Sequence, residues 1–113
     1  VDAQILLERA TAAGERLVTD AEVIQEILHR FSFLGRRDAI APTVGLMLDL
    51  VDEVFAIEQA VVLRASDMVQ AHAWLSTRDA VHLAVMERQQ IHRIMSFDAN
   101  FDRWPSVQRI FRA

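Results

Sequence analysis

The sequence predicts an α/β domain, a mostly parallel central sheet with helices on both faces. Three observations carry this. Short apolar strand-like runs alternate along the chain with segments of helical period, the order expected when crossover helices cover a parallel sheet. Acidic residues recur where strands end and helices begin. The 113 residues suffice for one core but not for two, so residues 1–113 are read as a single domain.

Composition narrows the chemistry. There is no cysteine, which excludes disulfides, thiolate metal sites and cysteine nucleophiles. The net charge of −4 argues against a protein that coats nucleic acid by bulk electrostatics, but not against one that binds RNA locally and cuts it. All 12 basic residues are arginine, a bias that points to a GC-rich genome more than to phosphate binding. No apolar run approaches the ~20 residues of a membrane span, and no signal segment opens the chain. A cytoplasmic protein is expected.

Taken in order, Val1-Asp2-Ala3 reads as a strand end, and Gln4 to Ala10 is already helical. A sheet strand and a helix need a connection of a few residues, so a loop is expected to be absent between Ala3 and Gln4. Gly14 caps the helix. Arg16 to Thr19 reads as a short strand, and Thr19-Asp20-Ala21-Glu22 as a capping box that opens the next helix. Ile24, Ile27, Leu28, Phe31 and Leu34 fall at helical spacing and mark its buried stripe. Glu26 lies at the border of that stripe, either as a solvated helix residue or as a carboxylate with a partner.

Gly35-Arg36-Arg37-Asp38 breaks the helix. Pro42 suits the first turn of the following one, whose stripe is Val44, Met47, Leu48 and Val51. Arg30, Arg36 and Arg37 form either a phosphate-contacting rim or a solvated helix end. Val54 to Ile57 is a strand, and Glu58 to Leu75 is helical. His72, His82 and His92 read as packed, hydrogen-bonded histidines, since their spacing makes no metal pair.

The richest stretch runs from Ser76 to Arg103. A helix opens on Ser76-Thr77-Arg78-Asp79, a strand covers Ile91 to Phe97, and Asp98 stands at its C-terminal end. Ligands of open α/β sheets sit at the C-terminal ends of strands. Asp79 also fits half of a capping box with Ser76, and Asp98 fits the N-cap of a short helix over Ala99 to Arg103. Pro105 stops that helix, and Val107 to Phe111 fits a final edge strand. Two carboxylates about 4 Å apart repel by roughly 4 kcal/mol at an effective dielectric near 20. A cluster of them needs a cation or bound protons, and oxygen ligands select a hard ion, Mg²⁺ or Mn²⁺.

Ser76, Arg78, Asp79, Ala80, His82 and Ala84, followed by Ser96-Phe97-Asp98 and Phe101-Asp102, match the pattern S-x-R-D-A-x-H-x-A and a strand ending S/T-F-D-x-x-F-D. In this the chain resembles the PIN-domain ribonucleases, and within them the VapC-type toxins of bacterial toxin–antitoxin pairs. The resemblance runs from about Leu17 to the C-terminus. It implies a three-layer fold and metal-assisted hydrolysis of RNA phosphodiesters. It also implies that a first helix is absent, with the loop, between Ala3 and Gln4. It assigns Asp2, Glu26, Asp79 and Asp98 to one or two Mg²⁺ or Mn²⁺ ions, with Asp102 helping through water or capping locally. Asn100 stands where the family usually has aspartate, which removes a carboxylate there. The resemblance also implies a cognate antitoxin lying over the active site, and a homodimer. Two rival readings are a PIN-like interaction module that has lost catalysis, and a phosphatase or DNA nuclease with a similar acidic site.

Overall fold

The computed structural model describes residues 12–96 and 98–110. The expected strand at Val1-Asp2-Ala3, the join of Ala3 to Gln4, the helix that follows, Phe97 and Phe111 lie outside the described residues. Gly14 has φ +72°, the left-handed backbone of a helix-ending glycine.

β1 (Val18–Asp20) leads into α1 (Ala21–Phe33), a 3₁₀ turn (Arg37–Ala39) and α2 (Ile40–Leu50). β2 (Glu53–Phe55) then lies parallel to β1, with Val18 opposite Glu53 and Asp20 opposite Phe55. α3 (Gln59–Ala71) and α4 (Thr77–Gln89) follow as a packed pair. β3 (Arg93–Met95) and β4 (Gln108–Ile110) are parallel, joined through a second 3₁₀ turn (Ala99–Arg103). The expected α/β class is therefore observed. Among the described residues the strands form two parallel two-stranded sheets rather than one continuous sheet.

α1 begins one residue later than the T-x-x-E pattern predicts. Asp20, not Thr19, is the N-cap, and its side chain accepts from the Val23 N–H at 3.1 Å. Aspartate caps at least as well as threonine, and Asp20 has the extended backbone a cap requires, φ −127° and ψ 167°. At the far end Arg36 N–H reaches Phe31 O at 2.8 Å and Gly35 N–H reaches Ser32 O at 3.2 Å. This Schellman pattern needs a left-handed residue, and Gly35 supplies it at φ +69°.

The core lies around α3 and α4. Val61, Ala65 and Met68 of α3 share one buried cluster with Ala80, Leu83 and Ala84 of α4 and with Phe55, Leu75 and Phe101. Buried residues occur on nearly every side of α4, as in a helix enclosed by its domain. The stripes expected on α1 and α2 are not buried. Neither helix has a buried residue, and Leu28, Leu34 and Leu48 are exposed. The two helices pack chiefly on each other and on the turn between them, outside the core. Their helical period is real, but period alone does not say what covers a face.

Candidate metal centre

Three of the predicted carboxylates come to one place. Glu26 sits on the second turn of α1, Asp79 on the first turn of α4, and Asp98 just beyond β3. Together with Arg30, Ser76, Thr77 and Arg78 they line a cleft of about 620 Å³. Asp2 lies outside the described residues.

Two of the carboxylates are placed by local chemistry. Ser76 caps α4, its hydroxyl accepting from the Asp79 N–H at 3.2 Å, so Asp79 is fixed at the helix start. Asp98 caps the second 3₁₀ turn, its Oδ1 accepting from the Asn100 N–H at 2.9 Å, while its own N–H donates to Ser96 Oγ at 3.0 Å. The Ser76 cap at Asp79 and the capping role of Asp98 thus coexist with the place of both acids in the cleft.

Burial pushes the Asp79 carboxyl above the usual carboxylate range. The Ser76 hydrogen bond opposes this, and the charges of Asp98 and Glu26 add to it. Asp79 therefore senses both of the other acids electrostatically. A group of oxygen donors that repel each other suits a hard divalent cation. The donor chemistry fits Mg²⁺ or Mn²⁺, although among the described residues no three acidic or histidine side chains already enclose an ion site.

Glu26 is held from behind by a residue three positions beyond Asp79. His82 Nε2 lies 2.9 Å from Glu26 Oε1, and its Nδ1 lies 2.7 Å from Asp20 Oδ2. The side chains of His82 and Asp20 retain only 12% and 6% of their exposure. Burial disfavours the imidazolium, but the hydrogen bonds and charges of Asp20 and Glu26 outweigh it and raise the His82 pKa to about 9. The protonated ring donates to both carboxylates. His82 is the packed, hydrogen-bonded histidine the sequence suggests. Asp20 is the residue that sequence reasoning missed, because the T-x-x-E pattern gave the cap to Thr19.

The other candidates part company. Arg30 lines the cleft. Arg36 instead forks onto Asp38 at 3.1 and 3.2 Å, and Arg37 is exposed in the 3₁₀ turn. Asp102 receives two bonds from Arg109, each 2.9 Å, which hold its carboxyl below the usual range. Arg109 also donates to Ser96 O at 3.3 Å, so this fork braces the segment that carries Asp98.

The PIN domain family model matches residues 1–106. The chain is 50% identical over 110 residues to VapC ribonuclease Mb1869c of Mycobacterium bovis and equally to ribonuclease VapC13 of Mycobacterium tuberculosis, covering 97% of this chain and 84% of each relative. It is 34% identical over 96 residues to ribonuclease VapC23 of Mycobacterium tuberculosis, covering 85% of this chain and 75% of that relative. No solved structure gives a significant match. This chain belongs to the PIN-domain family and, within it, to the VapC ribonucleases. Among the described residues no helix is long and apolar enough to cross a membrane.

Proposed function

We propose that this protein is a metal-dependent endoribonuclease, the toxin of a toxin–antitoxin pair, acting on RNA in the cytoplasm. The observation that carries the reading is the convergence of Glu26, Asp79 and Asp98 on one cleft in a chain 50% identical to VapC ribonucleases. In this reading Glu26, Asp79 and Asp98, joined by Asp2, hold Mg²⁺ or Mn²⁺. Such an ion, when bound, supplies Lewis-acid stabilisation of the charge that develops on a scissile phosphate. Arg30 and Arg78, at the same cleft, orient the RNA backbone through the fork geometry that suits phosphate oxygens. Asp102, taken up by Arg109, serves by bracing the turn behind Asp98.

Two partners follow. A cleft of carboxylates invites arginine from another chain, so the cognate antitoxin inhibits by placing basic residues among Glu26, Asp79 and Asp98. The apolar side chains on α1 and α2, with Phe33 and Leu46 exposed to 83% and 72%, support a covered face, and a homodimer is the arrangement we favour. Cleavage assays test the activity. RNA should be cut with Mg²⁺ or Mn²⁺ and left intact in EDTA, with DNA of the same sequence a poor substrate. Persistent cleavage in EDTA would refute the metal-dependent mechanism.

A further inference from the structure

We propose that His82, anchored by Asp20, is the positioning residue that fixes the Glu26 carboxylate against α4 for metal binding. The inference rests on the metal reading above and concerns residues that reading leaves without a role.

α1 carries Glu26 yet buries none of its residues. Packing alone therefore holds this helix weakly, and a ligand on it needs another tether. His82 supplies one. It lies on α4, the helix that carries Asp79, and crosses to Glu26 Oε1 at 2.9 Å. Three residues after Asp79, it projects from nearly the same helix face one turn on. A single side chain thus ties Glu26 to the element that bears a second proposed ligand.

His82 is itself held. Asp20 accepts from it at 2.7 Å through Oδ2 and from the α1 N-terminus through Oδ1. The chain of contacts runs from the end of β1, through α4, to the second turn of α1. It leaves the imidazole no freedom to swing without breaking a bond between largely buried groups. It also engages Glu26 Oε1, which leaves Oε2 the less encumbered oxygen for an ion. Residues behind a metal ligand orient it, and their loss typically weakens metal affinity about 10- to 100-fold.

The test uses the full chain and two substitutions that separate the two ring nitrogens. The amide of His82→Asn falls near the place of Nδ1, keeping the Asp20 contact and losing the one to Glu26. The amide of His82→Gln falls near the place of Nε2 and restores a donor to Glu26. Mn²⁺ affinity is read by calorimetry, and folding by thermal melts in EDTA. H82N should bind Mn²⁺ about 10- to 100-fold more weakly than wild type, and H82Q should recover most of the loss at a melting temperature similar to that of H82N. Wild-type affinity in H82N, or equal loss in both variants, overturns the positioning role. RNA cleavage by wild type in Mn²⁺ alongside either result leaves the nuclease reading standing. Wild type that binds no Mn²⁺ at millimolar concentration overturns the positioning role together with the metal reading.

Discussion

Asp20 Oδ2 and His82 Nδ1 stand 2.7 Å apart although 62 residues separate them in the chain. This contact joins the end of β1 to the second turn of α4, and it places Asp20 behind the proposed metal centre. Asp20 has two duties, one oxygen capping α1 and the other holding the imidazole.

Removing both duties should be costly. Asp20→Ala loses a helix cap, about 1 kcal/mol, and leaves His82 Nδ1 short of a partner, about 1–3 kcal/mol. Urea unfolding should show the sum, about 2–4 kcal/mol. Asp20→Asn keeps the cap but sets an amide N–H₂ against the His82 Nδ1–H, so it should recover only the cap's share, about 1 kcal/mol. Equal stability of wild type and Asp20→Ala would contradict the double role.

The metal-free protein should become less stable as alkali removes the His82 proton. The His82 pKa is raised from 6.5 to about 9, so the folded state binds the proton more tightly than the unfolded chain. That contribution is complete below about pH 6.5 and is lost as pH rises through about 9. Thermal melts in EDTA should show wild type losing its advantage over His82→Gln across this window. A constant gap from pH 6 to 10 would contradict it.

Asp79→Asn should act with opposite signs in the two metal states. Burial and its acidic neighbours raise the Asp79 pKa, so ionisation opposes folding when no cation is present. In EDTA, at neutral pH, the substitution should leave the melting temperature unchanged or raise it. With Mg²⁺ or Mn²⁺ at about 100 times its dissociation constant, wild type should gain roughly 3 kcal/mol, and Asp79→Asn should gain little. Lowered stability of the variant in EDTA would show that Asp79 serves the fold first.

Much of this was legible in the sequence because it is local. Gly14 and Gly35 mark helix ends, Ser76 and Asp79 form a cap, and Asp98 precedes a short turn closed before Pro105. The convergence of Glu26, Asp79 and Asp98 was reached from their places at strand ends and helix starts, together with the family pattern. What stayed hidden is long-range. His82 and Glu26 are 56 residues apart, and no period records that they meet. The stripe of Ile24, Leu28 and Leu34 predicts a face but not its cover, and α1 packs outside the core. Asp102 is drawn to Arg109, seven residues on, by a turn whose geometry the motif does not contain.

Asp102 and Asp98 should separate experimentally despite their proximity in sequence. Asp102→Asn gives up the Arg109 fork that braces the Asp98 segment but no proposed direct ligand, so the melting temperature should fall and Mn²⁺ affinity should drop less than in Asp98→Asn. Asp98→Asn removes a proposed ligand and keeps a capping side chain, so affinity should fall while the melting temperature in EDTA holds. Calorimetry and thermal melts on both variants check this. The reverse pattern would exchange the two roles.

Cleavage of a broad pool of single-stranded RNA in Mg²⁺ or Mn²⁺, by wild type, Asp98→Asn and Glu26→Gln, tests the central claim most directly. Both substitutions keep size and shape while removing a charge, and circular dichroism verifies that each variant is folded. His92→Gln, at an exposed histidine whose ring contacts Ser106 O, is the control. Wild type and His92→Gln should cut the RNA, and Asp98→Asn and Glu26→Gln should leave it largely intact. Equal cleavage by wild type and Asp98→Asn, both folded and with metal present, would contradict the assignment of this cleft as a nuclease centre.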